Sequence, residues 1–361
     1  MAVSLCLDAK RKIPMATVDS DPDAVLALYD IGEVRGMSAA GGTAGKTWKV
    51  VSSSGDYFLR LRGVRTSSEA RLRFDHGLRD HLVGCGVPTA AALATKEGDR
   101  WVRMEEGVYE LYPFVVGRAF DPESEEEIAA AARGLAEYHR VAAEYRSPSA
   151  ETEPIAQYTT LGFSDAVSAR MDDPDLQRLN LESVRGLAAS DAERQLVDRC
   201  IERVEGMQRT YAGAAYEQLS GWVIHGDYTP ANLLFSESGQ VVGIFDLDWA
   251  LPGARCRDLG DGLYFFATRP REIDAGDIWS LTEAAEFDED RCRIFLEAYQ
   301  SVLTLERCEF EAIPLGFAGR WISIRLEGMA KVDSGERFRF FGRGVEEPLR
   351  WLDTHWAELQ Q

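Results

Sequence analysis

Residues 221–262 read GWVIHGDYTPANLLFSESGQVVGIFDLDWALPGARCRDLGDG. Within them His225, Gly226, Asp227 and Asn232 spell H-G-D-x-x-x-x-N, and an apolar strand, VVGIF (241–245), leads into Asp246. One loop therefore carries a carboxylate and, five residues on, a carboxamide. A second carboxylate stands at the end of a strand that can return beside that loop.

Phosphoryl transfer explains why such a set belongs together. The reaction needs little covalent help, so catalysis is positioning plus neutralisation of developing charge. One carboxylate must orient an acceptor hydroxyl and take its proton, and Asp227 is the candidate. Asn232 and Asp246 are candidate ligands for Mg2+, which takes a few hard oxygens from protein and keeps water or phosphate for the rest. Asp248 is open between metal or substrate binding and a solvent-facing position. His225 suits a structural role, holding the loop through hydrogen bonds. His76, His81, His139 and His355 have no partner at metal-ligand spacing and are expected at the surface or in packing.

A second stretch, AGGTAGKT (40–47), has the relaxed spelling of a phosphate-binding P-loop. A P-loop must enter a helix directly, because the helix N-terminus helps to hold the phosphates. Here TWKVV and YFLRL follow instead, separated by SSSGD, which is the pattern of a β-hairpin. Glycines at a hairpin tip can fold over a nucleotide and let backbone amides approach its phosphates. Gly41, Gly42 and Thr43 are therefore assigned to nucleotide binding.

The 221–262 stretch resembles the signature of the aminoglycoside phosphotransferase superfamily, which includes choline kinases and homoserine kinase type II-like proteins. The resemblance runs over roughly residues 25–345. It rests on H-G-D-x-x-x-x-N together with GIFDLDWA (243–250) and RDLG (257–260). ELYPFVVG (110–117) and LAEYHR (135–140) are similar to the homoserine kinase-like and bacterial stress-response kinase branch. It implies an α+β, protein-kinase-like fold of two lobes, with ATP or GTP as co-substrate and Mg2+ as cofactor. It implies Asp227 as base, Asn232 and Asp246 as metal ligands, and Asp258 as a brace from the following helix. Val50, Leu111, Tyr112 and Leu234 would surround the base of the nucleotide, Leu111 and Tyr112 through backbone groups.

Two positions depart from the family's usual residues. The basic residue of the second hairpin strand is Arg60 instead of Lys; its planar fork suits phosphate. Its carboxylate partner on the next helix aligns with Asp75, with Glu69 as the alternative.

Composition limits the acceptor. The 361 residues carry 60 acidic and 40 basic side chains, a formal charge of −20. Phosphate backbones and anionic lipid repel such a chain, so neither nucleic acid nor membrane is expected as a partner. The six cysteines lie far apart and read as reduced small hydrophobes. MAVSLCLDAKRKIP places its charges after its short apolar run, unlike a signal peptide, and Met15 is a second candidate start. A cytoplasmic location follows. Residues 1–22 form an extension, 23–112 a β-rich lobe and 113–361 a helical lobe with the catalytic loop at 225–232. Short strands are expected in VPTAAALAT (87–95), a helix capped by Asp121 with Pro122 in its first turn, and loop over 146–165. A small molecule ranks above a protein as acceptor, because only LDWALPGARCR separates Asp246 from Asp258. Amino alcohol, sugar and aminoglycoside-like compounds all stay open.

Overall fold

The computed structural model describes residues 22–40, 46–63, 66–146, 173–210, 217–219, 221–270 and 277–360. The Gly41–Gly42–Thr43 tip and most of 146–165 lie outside them. The hairpin predicted beyond that tip is present as β2 (Lys46–Ser52) and β3 (Asp56–Arg62). With β1 (Val34–Ala40), β4 (Val102–Met104) and β5 (Gly107–Pro113) they make an antiparallel sheet ordered β1-β2-β3-β5-β4.

Strand alternation sorts the side chains of this sheet onto two faces. Trp48 pairs with Leu59, and Leu59 with Leu111. Together with Val50 and Tyr109 they pack under α1 (Pro22–Leu26), in a core closed by Val25, Leu26, Tyr29 and Ile31. Thr47, Arg60 and Glu110 pair in the adjacent row and so face the other way. On that face lies α2 (Glu69–Gly84), whose Asp75 and His76 bond to Arg62 and Glu110. Ser68 starts α2 by accepting the Arg71 N–H at 3.3 Å.

The larger part is mostly helical. α3 (Glu125–Ala142) is capped by Ser124, which accepts the Glu127 N–H, so the predicted cap at Asp121 is corrected by three residues. Asp121 instead accepts from Glu123, making a turn that leads into the helix. Residues 87–95 form no strand either. Pro88 has no N–H to offer a ladder, and this segment touches β5 through Leu93 N–H to Leu111 O at 2.7 Å. α4 (Pro174–Arg185) and α5 (Asp191–Thr210) follow within the helical part. Short strands β6 (Trp222–Ile224), β7 (Leu233–Phe235), β8 (Val241–Ile244) and β9 (Leu251–Gly253) pair as β6-β9 and β7-β8.

Beneath them run α6 (Cys256–Phe266), α7 (Glu289–Gln300) and α8 (Arg307–Met329), followed by α9 (Arg337–Gly342) and α10 (Glu347–His355). α6 and α8 approach closely enough that a Cβ at Gly260 would sit 2.7 Å from the Phe317 nitrogen, and one at Gly316 2.6 Å from the Cys256 oxygen. The aromatic residues near the C-terminus are packing residues: Phe340 and Phe341 are buried and Trp351 stacks on Phe287. Among the described residues no helix is long and apolar enough to cross a membrane.

Candidate active site

The catalytic-loop residues come together through backbone geometry. β6 delivers the chain to His225–Gly226, where φ at Gly226 is +83° and a Cβ would overlap the Trp249 carbonyl oxygen. Only glycine fits that turn. Asp258, one turn into α6, accepts the N–H groups of His225 at 2.6 Å and Gly226 at 2.9 Å. Its third bond is to His139 Nε2 at 3.0 Å, and His139 Nδ1 meets the Tyr299 hydroxyl at 2.9 Å. Burial alone would push the Asp258 carboxyl up, yet the His139 hydrogen bond and neighbouring positive groups bring it down to about 2. Burial lowers the affinity of His139 and His225 for a proton, so both are neutral at pH 7. His225 Nε2 then donates to Phe245 O at 2.9 Å, and its Nδ1 accepts the Asp227 N–H at 3.3 Å. His139, read as a packing residue, is thus the buried support of Asp258. The missed signal was its place in LAEYHR.

Asp227 is fixed by two neighbours. Asn232 Nδ2 donates to the Asp227 carbonyl at 2.8 Å and to its Oδ2 at 3.0 Å. Arg320, from α8, donates through Nη2 to Oδ1 at 2.6 Å. Nothing in the sequence around Arg320 pointed to this, because the two residues are 93 positions apart.

Asp246 follows β8 with φ 59° and ψ 59°, the left-handed region, and among the described residues no other non-glycine has positive φ. Desolvation is the largest influence on its carboxyl; Arg60 works against it, Asp248 and Asp227 with it, and the net result is a rise to about 6. A carboxylate so placed gains from a cation. The Asn232 amide nitrogen is committed to Asp227, which leaves the amide oxygen to face a cation. Among the described residues no three His, Cys, Asp or Glu side chains are arranged to hold a metal by themselves. An Asn/Asp pair completed by phosphate oxygens and water fits Mg2+ chemistry.

The expected partner of Arg60 is corrected. Arg60 closes on Asp248 through Nη1 at 2.9 Å and Nη2 at 2.7 Å and touches Asp246 at 3.3 Å. Asp75 bonds to Arg62 at 2.6 Å and Arg79 at 2.9 Å, while Glu69 pairs with Arg73 at the surface. The fork of Arg60 reaches across to the large lobe, and Arg62, two residues on and on the same face, takes the helix carboxylate. Asp248 does not face water: Thr66 donates to it at 2.8 Å, and Arg62 lies 3.1 Å away. Burial alone would push its carboxyl up, but the guanidinium groups of Arg60 and Arg62 hold it down at about 2. Arg71 adds a further tie, donating to Ala250 O at 2.5 Å and Leu247 O at 2.7 Å.

Alternation also corrects Val50. It lies under α1, on the face opposite Arg60, so Lys49, Val51 and Phe58 share the Arg60 face instead. The side chain of Leu111 is in the same core, and its carbonyl already accepts from Leu93. Tyr112 is on the Arg60 face, where it clusters with Phe58, Val115 and Phe245. Leu234 is half-buried under the chain after β5, since a Cβ on Gly117 would come within 2.9 Å of it.

The model of a phosphotransferase enzyme family matches residues 37–295. The homoserine kinase of Parvibaculum lavamentivorans is 24% identical over 323 residues, covering 85% of each chain. A microcompartment-associated aminopropanol kinase superposes with a TM-score of 0.65 at 15% identity, covering 94% of this chain and 98% of that one. The amicoumacin kinase hAmiN, solved in complex with AMP-PNP, Ca2+ and Ami, gives 0.64 at 14% identity, with 91% and 92% covered. The chain shares its two-lobed kinase-like fold with both of these solved kinases.

Proposed function

The chain belongs to the phosphotransferase enzyme family, and from that premise we propose that it transfers the γ-phosphoryl group of Mg·ATP to the hydroxyl of a small amino alcohol, with a homoserine-like compound first in line. The observation that carries this is the Asp227–Asn232–Asp246 arrangement, with Asp258 bracing its loop. Homoserine is favoured because the P. lavamentivorans relative bears that name and matches across most of both chains.

Asp227 accepts the hydroxyl proton while the acceptor oxygen bonds to the γ-phosphorus. The bond from that phosphorus to the β,γ-bridging oxygen breaks, and ADP leaves. Asn232 keeps the Asp227 carboxylate oriented. Arg60 meets the phosphates, exchanging part of its contact with Asp248 for them. Asn232 and Asp246 would hold Mg2+, which would supply positive charge to offset the phosphoryl oxygens. Tyr112, Leu234, Phe58 and Phe245 border the slot for the base, and the nucleotide-binding role of Gly41, Gly42 and Thr43 belongs to the same proposal. GTP is the alternative donor, and a cytoplasmic location belongs to the same proposal.

The test is ADP release from Mg·ATP over a panel of homoserine, choline, aminopropanol, an aminoglycoside and a generic protein substrate, with Asp227→Asn alongside. Turnover that needs an acceptor and vanishes in the variant supports the reading. Nucleotide binding with no turnover for any acceptor would refute it in favour of a binding-only protein.

A further inference from the structure

We infer that Arg320 and Asp261 form the acceptor-recognition pair, selecting a hydroxyl compound that carries a carboxylate and an ammonium group. The inference rests on the assignment of Asp227 as the base, and it deepens that reading.

Arg320 reaches Asp227 from the large lobe, opposite the Arg60 side of the site. Its Nε lies 3.5 Å from Asp261 Oδ1 but makes no hydrogen bond. Asp261 is one turn beyond Asp258 on α6 and its side chain is 1% exposed, yet its Oδ2 also accepts no hydrogen bond. Arg257 stands 4.0 Å from that oxygen. Buried polar atoms are almost always hydrogen-bonded, and leaving one bare is costly. Here a guanidinium and a carboxylate beside the base both keep unused bonding capacity.

Backbone drift does not explain the gap. The glycine contacts that seat α6 against α8 hold both residues in place. Arg320 instead donates through Nη2 to Asp227 at 2.6 Å. Its side chain is 11% exposed and that of Asp227 24%, so the edge they share is reachable from solvent.

The complementary ligand follows from charge. A planar guanidinium binds a carboxylate through parallel N–H bonds, and Asp261 would take an ammonium group. Because Arg320 already touches Asp227, the anionic group and the reacting hydroxyl can be only a few bonds apart, which keeps the acceptor small. A carboxylate sharing Arg320 also loosens its hold on Asp227. An acceptor without one leaves the guanidinium bonded to Asp227. A polycationic acceptor would set like charge against Arg320.

The experiment is titration calorimetry of the full chain with Mg·AMP-PNP present, using L-homoserine, 3-amino-1-propanol (the same molecule without the carboxylate) and 4-hydroxybutyrate (without the ammonium). ADP release is measured separately with Mg·ATP. Homoserine is expected to bind at least tenfold more tightly than either analogue. Arg320→Gln should weaken homoserine on the order of tenfold to a hundredfold, as loss of a charged hydrogen-bonded pair does, while changing aminopropanol much less. Arg320→Lys should recover part of the loss, and Asp261→Asn should remove the advantage over 4-hydroxybutyrate. Equal affinity for the three compounds, or an equal loss for all of them in Arg320→Gln, overturns the inference. Carboxylate-dependent binding without ADP release would keep the pair and discard the proposed reaction. ADP release indifferent to the carboxylate would do the opposite.

Discussion

Arg60 and Asp248, 188 residues apart, meet in a forked ion pair with N–H···O distances of 2.9 and 2.7 Å. The pair ties the small sheet to the turn that presents Asp246, so the residue expected to bind phosphate also sets the separation of the two lobes. Both side chains are largely withdrawn from water, where removing one partner of a guanidinium–carboxylate fork leaves an uncompensated buried charge.

Removing Arg60 should therefore affect nucleotide use first. Arg60→Gln is expected to raise KM for Mg·ATP on the order of tenfold, given the worth of charged hydrogen bonds, with a smaller fall in kcat. Asp248→Asn should instead lower thermal stability, because Arg60 and Arg62 are left facing a neutral group. Initial-rate kinetics and thermal unfolding of the two variants separate these effects. Loss of nucleotide affinity in neither variant would remove Arg60 from the phosphate site.

Asp227→Asn keeps the shape of the loop and removes the proton acceptor. A fall in kcat of roughly 10²–10⁴ is expected from the loss of general-base assistance. Nucleotide affinity should change little, because Asp227 contacts Asn232 and Arg320 but not the small lobe. Single-turnover rates with saturating acceptor check the first part, and calorimetry with Mg·AMP-PNP the second.

Asp258 gives a pH prediction with a definite sign. Its carboxyl, at about 2 in the folded chain, lies below the ordinary aspartate value of 3.8. The ionised form therefore contributes stability that is complete above about pH 4 and is lost as the pH falls through about 2. Asp258→Asn should be destabilised by about 3 kcal/mol at pH 7, the scale for breaking a buried charged network. Its deficit relative to the parent should shrink as the pH is lowered towards 2. Denaturant melts of both proteins across pH 2–7 measure the difference, and a deficit that does not change with pH would contradict this role.

Gly226→Ala tests the turn itself. A side chain there meets the Trp249 carbonyl and must also adopt positive φ, which adds at least about 1–2 kcal/mol of backbone strain to the overlap. Reduced thermal stability together with a loss of turnover larger than the loss of nucleotide affinity is expected. A variant with parental kcat would show that the loop can shift without consequence.

Much of the molecule was legible along the chain because its determinants are local. Alternation on either side of SSSGD marked the hairpin, and the composition of 40–63 separated it from a P-loop. The five-residue spacing of Asp227 and Asn232 put both on one loop, where a hydrogen bond now joins them. The bracing role of Asp258 was legible only through the resemblance that RDLG helps to carry. Where a local signal misled, a nearby group competed for the same job: Ser124 outdid Asp121 as a cap.

By itself, then, the sequence determined the order of elements, the loop that carries the chemistry and the kinds of group on it, because spacing along a chain sets local backbone geometry. Only the tertiary structure decided that α1 covers the Val50 face and α2 the Arg60 face. It alone paired Arg60 with Asp248 and Asp75 with Arg62, supported Asp258 with His139, and brought Arg320 and Asp261 beside Asp227. A charged side chain takes its partner from whatever the packing of lobes and helices brings within reach, and that choice is made in space between residues far apart in the chain.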